Sequence, residues 1–227
     1  MISRAGAFAY LASRLPVREV GGLDRLRLIE AQFVPEVRLY LAEDAIVWWA
    51  RMQAETGGAT TAPFWATAWP GGQAVARYLL DHPANVAGRR VLDVASGSGL
   101  VAIAAALAGA ARVSATDIDP YALAAITLNA RANGVTVSAC LNDLLEGDGG
   151  DAEVVLAGDA FYSQAIAARI WPFLQRAAAR GARVLIGDPG RGHLPRHRLT
   201  RVASYPAKGA DTSPEPQIRQ LSVYQPR

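Results

Sequence analysis

Residues 91–99 read VLDVASGSG. A short β-prone run carrying Asp93 enters a turn of small residues, Ala95 to Gly99, which opens onto the Ala-rich stretch LVAIAAALAGA at 100–110. A strand, a tight turn and a helix are written this way where backbone amides come close to a bound nucleotide. The rest of the chain decides which nucleotide.

Working outward, apolar runs and helical periods alternate. Strands are expected at 90–95, 111–117, 135–141, 153–157 and 182–187. Helices are expected at 72–82, 99–109, 119–133 and 163–180, the third with Asp119 as N-cap and Gly134 past its end, the last interrupted near Pro172. The tail IRQLSVYQP at 218–226 can supply a final edge strand. Such alternation predicts an α/β fold: a doubly wound, mostly parallel sheet covered on both faces. Upstream, 23–42 alternates apolar and polar residues on both sides of Pro35, as two short strands or a strand and a loop would. Residues 57–72, GGATTAPFWATAWPGG, are a turn-rich aromatic loop. The division expected is therefore an N-terminal extension with that loop, 1–70, and a core, 71–227. KGADTSPEPQ, 208–217, reads as a flexible loop.

Composition narrows the setting. A chain of 227 residues, 51% hydrophobic, can bury a sizeable core. The single Cys140 cannot form an internal disulfide and no apolar run is long enough to span a bilayer, which predicts a reducing, cytoplasmic setting without a membrane. The first 20 residues carry Arg4, Arg14 and Arg18 against Glu19 alone, as an organellar transit peptide or a short amphipathic helix would. Net charge is +3, yet from Arg169 onward eleven Lys or Arg face Asp188, Asp211 and Glu215. That quarter suits an acidic partner. Interleaved aromatics are lacking there, so no nucleic-acid partner is expected. His82, His193 and His197 lack metal-ligand spacing with Cys140 or the carboxylates, and no metal is expected.

In doubly wound sheets the ligand sits beyond the carboxyl ends of the strands. Those ends carry Asp93, Asp117, Asn142 with Asp143, Gly158 with Asp159, and Gly187 with Asp188. Asp117 lies eighteen residues after Gly99, placed to accept hydrogen bonds from ribose hydroxyls, and Asn142 and Asp143 are placed for an adenine edge. A pyrophosphate needs G-x-G-x-x-G, whereas this turn reads A-S-G-S-G-L with Asp93 beneath it. A carboxylate there repels phosphate and favours a cationic amino acid moiety. S-adenosyl-L-methionine has an ammonium and a sulfonium and no phosphate. The cofactor contacts expected at the turn and strand ends are Asp93, Ala95, Ser96, Gly97, Gly99, Asp117, Ile118, Asn142, Asp143 and Gly158.

VLDVASGSG, ATDIDPYALAAITLNARANG and NDLLE resemble the core of seven-strand, Rossmann-like class I methyltransferases. VPEVRLYLAED, APFWATAWPGGQAVARYLLD, VVLAGDAFY and VLIGDPGR further resemble the protein-lysine methyltransferases acting on the electron transfer flavoprotein β-subunit. The resemblance covers roughly 30–195, and it departs at Ala95, where the family usually has Gly; Ala fits if its φ stays negative. It implies methyl transfer to a lysine ε-amine in a protein substrate, that flavoprotein subunit first, with a ribosomal protein or a small molecule as the alternative. It also implies that Asp159 and Tyr162, matching D-x-x-Y, hold the amine, and that Trp69 touches the cofactor, with Trp65 and Trp69 as walls.

Simpler roles stand beside these. Asp159 can cap the following helix, Tyr162 can be core, Trp48, Trp49 and Trp171 read as core, and Asp188 and Arg191 can serve a turn or the substrate. A nucleotide-dependent oxidoreductase and a silent binding module also remain compatible with the fold.

Overall fold

The computed structural model describes residues 2–15, 25–58, 60–207 and 220–227. The loop expected at 208–217 and residues 16–20 of the N-terminal segment lie outside them. In chain order the elements are α1 (Arg4–Ser13), β1 (Leu26–Ala31), β2 (Val34–Ala42), α2 (Ala45–Thr56), a 3-10 turn (Phe64–Ala66), α3 (Pro70–Asp81), β3 (Arg90–Val94), α4 (Leu100–Leu107), β4 (Arg112–Asp117) and α5 (Pro120–Ala132). There follow β5 (Ser138–Leu141), β6 (Val154–Ala157), α6 (Gln164–Ala179), β7 (Arg183–Asp188), β8 (Leu199–Pro206) and β9 (Gln220–Pro226).

The main sheet has seven strands in the order β5-β4-β3-β6-β7-β9-β8. Strands β5, β4, β3, β6 and β7 run parallel, and β9 is antiparallel to both neighbours. Two expectations change here. The tail strand is not an edge: β9 is inserted between β7 and β8, and Leu221, Ser222 and Val223 are buried there. Strand β8 takes the edge. Pro172 does not interrupt its helix: α6 runs through it, with Pro172 on the exposed side and Ile170, Phe173, Leu174 and Ala177 on the buried face.

The central strands are buried on both faces, as β6 shows with four buried residues in a row, so helices must cover both sides. Helix α4 supplies six consecutive buried residues, Leu100 to Ala105. Its alanines let it lie close on the sheet. The strand order turns at β3, which pairs with β4 on one side and β6 on the other. Ligands bind beyond the strand ends at such a reversal.

The N-terminal residues form a separate two-stranded antiparallel hairpin, β1 with β2. Val37, Leu39 and Leu41 of β2 are buried in one cluster with Leu100, Ile103 and Ala104 of α4. Helix α1 buries Ala7 and Leu11 in another that includes Trp48, Trp65 and Tyr121. Asn129 of α5 ties these parts together. It is fully buried, accepts from the Tyr40 amide at 2.7 Å and donates to the Ser98 carbonyl at 2.8 Å, so hairpin, helix and Gly-rich turn share one side chain. Among the described residues no helix is long and apolar enough to cross a membrane.

Candidate active site

At the carboxyl ends of β3, β4 and β6 lies a cleft of about 430 Å³, within the ~300–1,000 Å³ usual for small-molecule sites. Its floor is the turn after β3. Asp93, 1% exposed, accepts from the Ser96 hydroxyl and the Ala102 amide through Oδ2, which holds the turn against the start of α4. Its Oδ1 is buried without a hydrogen-bond partner. Burial, with a smaller contribution from Asp117, pushes the Asp93 carboxyl up to about 7 against the hydrogen bonds it accepts.

Ala95 corrects the sequence reading. Its φ is +52°, the one non-glycine residue with positive φ among those described, so the tight turn is made by an alanine in the left-handed region. The conformation costs about 1–2 kcal/mol. The turn also depends on Gly99, with φ +83°, where a β-carbon would lie 3.2 Å from Ile126 Cα. Gly99 does not line the cleft; it lets α4 start against α5.

The acids at the next strand ends converge. Asp117 accepts from the Gly97 amide at 2.9 Å and from the Asp119 amide at 3.0 Å, and burial raises its carboxyl. Ile118 is 69% exposed on the rim, an apolar side chain beside that carboxylate. Asp119 caps α5 through the Tyr121 amide and also faces the cleft, its carboxyl pushed up to about 6 by burial and by Asp117. Asn142 and Asp143 line the far end, but Asp143 is engaged by Arg169 of α6 at 2.7 Å. The Arg169 contact was not legible from strand ends alone, since it depends on how α6 is turned.

The near end is aromatic. Phe64, 47% exposed, and Tyr162, 49% exposed, have ring centroids 5.6 Å apart, and Phe64 lies 6.0 Å from Trp69. The Trp69 indole N–H donates to the Phe64 carbonyl at 2.7 Å, fixing the loop over the turn. Trp65 is buried, faces the cleft and stacks on Tyr121. Trp48 is core, Trp49 donates its indole N–H to the Thr60 carbonyl, and neither it nor Trp171 lines the cleft.

Asp159 and Tyr162 meet here. Ser163, not Asp159, caps α6, so the capping reading of Asp159 is overturned; Tyr162, exposed on the rim, is not core. Asp159 accepts from the Gly71 amide at 2.9 Å and pairs with Arg191. Arg191 lines the cleft and lies 5.4 Å over the Trp69 ring. Asp188 serves the turn: it accepts from the Gly190 and Arg191 amides and does not line the cleft. Gly158 lies against Gly72 at the cleft wall.

The charge pattern tests which ligand fits. Five aspartates and two arginines line the cleft, and Asp143–Arg169 and Asp159–Arg191 pair off, leaving Asp93, Asp117 and Asp119 around the turn. A pyrophosphate would meet three carboxylates. A cationic amino acid moiety would meet the unpartnered Asp93 Oδ1, and S-adenosyl-L-methionine fits.

Comparison with known proteins decides the family. The electron transfer flavoprotein beta subunit lysine methyltransferase of Mus musculus is 40% identical over 215 residues, spanning 92% of this chain and 77% of its own. This chain belongs to that methyltransferase family. The human protein of the same name is 41% identical over 178 residues, 75% of this chain and 67% of its own. Within this lysine methyltransferase, residues 78–159 also match the profile of ribosomal protein L11 methyltransferase (PrmA). A crystal structure of ribosomal protein L11 methylase from Lactobacillus delbrueckii subsp. bulgaricus has a TM-score of 0.52 at 23% identity, covering 71% of this chain and 80% of that one, and shares the fold.

Proposed function

We propose that this enzyme transfers methyl from S-adenosyl-L-methionine to a lysine ε-amine of the electron transfer flavoprotein beta subunit, the substrate named for its relatives. The observation that carries this is one continuous cleft. Its acidic end suits a cationic cofactor, and its open end presents Phe64, Trp69 and Tyr162 beside a buried carboxylate.

Asp93 would meet the cofactor's ammonium and Asp117 its ribose hydroxyls. Ala95, Ser96 and Gly97 would line its amino acid end, Gly158 its middle, and Ile118, Asn142 and Asp143 its adenine end. The cofactor supplies a methyl group on a sulfonium, whose carbon–sulfur pair stays on sulfur as the amine nitrogen takes the carbon. The chain's task is then to align a lone pair and to manage a proton. A lysine amine, with an ordinary pKa of about 10.4, arrives protonated. The aromatic rim desolvates it, which favours the neutral form. Asp159 and Tyr162 orient it, and the shed proton leaves to water at the exposed rim.

A ribosomal protein substrate is the second reading. The profile match that favours it ends at residue 159, before Tyr162 and Arg191, and excludes the loop at 64–69. It therefore speaks to the cofactor end, common to both readings. Neither needs a membrane, nucleic acid or metal, and a cytoplasmic site of action goes with either. Radiolabelled methyl transfer into a lysate, followed by hydrolysis and residue identification, tests the proposal. Label in methyl-lysine supports it, and label elsewhere overturns it.

A further inference from the structure

Arg191 stands where an approaching ammonium would otherwise find a bare carboxylate. Its side chain is 8% exposed and that of Asp159 is 5%. Nε donates to Oδ1, and one terminal nitrogen lies 3.4 Å from Oδ2, which also takes the Gly71 amide. The same guanidinium lies over Trp69. Its loop is pinned in turn, with Asp188 accepting from the Gly190 amide at 2.6 Å and the Arg191 amide at 3.3 Å. One guanidinium therefore joins the end of β6, the loop after β7 and the aromatic loop.

Burying such a pair carries a desolvation cost that apolar residues of similar size would avoid, so stability alone is a poor account of it. We infer that Arg191 is a positioning residue for methyl transfer: it fixes the Asp159 carboxylate and compensates its charge, so that the acceptor lysine is held as a neutral amine instead of being trapped as an ammonium. The inference rests on the lysine methyltransferase reading above.

The physical argument is one of sign. An unpaired buried carboxylate stabilises the ammonium and raises the amine's pKa above its ordinary value of about 10.4, and an ammonium has no lone pair with which to attack. A guanidinium at ion-pair distance from that carboxylate opposes this, because it repels the same proton. The other charged or titratable groups about this end are few. Tyr162 faces it from the rim, and Asp188 acts from the end of β7, with Arg196 acting on Asp188 in turn. Asp93, Asp117 and Asp119 lie at the turn, and Asp143 and Arg169 pair at the far end. Arg191 forms the ion pair with Asp159, and of these other groups Asp188 acts on it by repulsion. Each transfer would have the lysine ammonium give one proton to water and the freed pair form the nitrogen–carbon bond as the methyl–sulfur bond breaks, its pair staying on sulfur.

The test uses the full chain with Arg191→Met and Arg191→Lys. A peptide carrying the acceptor lysine is titrated calorimetrically without methyl donor, and single-turnover transfer to it is followed from about pH 6 to about pH 10. Arg191→Met should bind the peptide at least about threefold more tightly at neutral pH, and the midpoint of its rate profile should rise by about one unit or more. Arg191→Lys keeps the charge, so its midpoint should stay within about half a unit of the wild type even if kcat falls about tenfold. If the Met variant does not fold, Arg191→Gln, which keeps a donor and loses the charge, carries the same expectation. An unshifted midpoint and unimproved peptide affinity in the uncharged variant, with rate and unfolding midpoint falling together, would leave Arg191 a purely structural residue and overturn the inference. A wild-type enzyme that modifies no lysine would remove the underlying reading, and this inference with it.

Discussion

A β-carbon on Gly187 would lie 1.9 Å from the carbonyl oxygen of Gly71, and one on Gly71 would lie 2.5 Å from the carbonyl oxygen of Gly187. The first turn of α3 and the end of β7 are thus in backbone contact, which also delivers the Gly71 amide to Asp159. Backbone cannot retreat as a flexible side chain can. Gly187→Ala should cost about 3 kcal/mol or more of stability, at or beyond the upper end of overpacking effects, or prevent folding. Denaturant unfolding measures it, and a loss under about 1 kcal/mol would show that α3 shifts freely.

Ala95 gives the opposite prediction. With φ at +52° it occupies a region that glycine enters without penalty. Ala95→Gly should therefore stabilise the protein, by about 1 kcal/mol after the greater freedom of glycine in the unfolded chain is subtracted. A lower thermal midpoint for the variant would contradict this.

How much was legible beforehand follows the same physics. Strands β3, β4, β6 and β7 are short, largely buried runs, and helical periods lie between β3 and β4 and between β6 and β7, so local sequence announces them, whereas β5 buries only Ala139 and no helix separates it from β6. Strand β8, LTRVASYP, is half exposed and carries no apolar run, and nothing local says that β9 inserts beside β7. The acids at the strand ends were legible because strand ends locate the cleft. Their partners were not, since Arg191 reaches Asp159 across 32 residues and Arg169 reaches Asp143 across 26. Nor does an alanine announce a positive φ. The hydrogen bonds of Asn129 to the hairpin and the turn likewise exist only once three elements have met.

Asp93 predicts a pH effect. Its folded pKa of about 7 lies above the unfolded carboxylate value of about 3.9. The folded state therefore holds the proton longer, and Asp93's contribution to stability is present at acid pH and is lost as pH rises from about 4 to about 7. An ammonium beside Oδ1 reverses the preference, so cofactor binding at about pH 6.5 should release a proton and tighten as pH rises towards about 8. Calorimetry in two buffers of different ionisation enthalpy reads that proton. Asp93→Asn should remove its share, leaving any smaller release from Asp119, whose carboxyl sits at about 6. Identical release in the variant would place the ammonium elsewhere.

Asp117 should carry the ribose. Asp117→Ala should weaken S-adenosyl-L-methionine binding by about 1.5–3 kcal/mol, the worth of hydrogen bonds to a charged group. It also frees the Gly97 and Asp119 amides, so the turn loosens in the same variant. Unchanged affinity would remove Asp117 from the cofactor contacts.

Steering of the protein substrate falls to the exposed Arg196 and Arg198, because Arg191 is buried against Asp159. Charge reversal at both should raise the Michaelis constant for a folded protein substrate severalfold at low salt and leave that for a short lysine peptide nearly unchanged. Equal effects on the two substrates would assign these arginines to solvent alone.

The most direct measurement offers the purified enzyme the electron transfer flavoprotein beta subunit and ribosomal protein L11 together, with S-adenosyl-L-methionine, and reads intact mass and peptide maps of both. The account predicts methyl increments on lysine of the flavoprotein subunit, dependent on cofactor and greatly reduced in Asp159→Asn. Methylation of L11 with the flavoprotein subunit untouched, or equal flavoprotein methylation by wild type and Asp159→Asn, would contradict it.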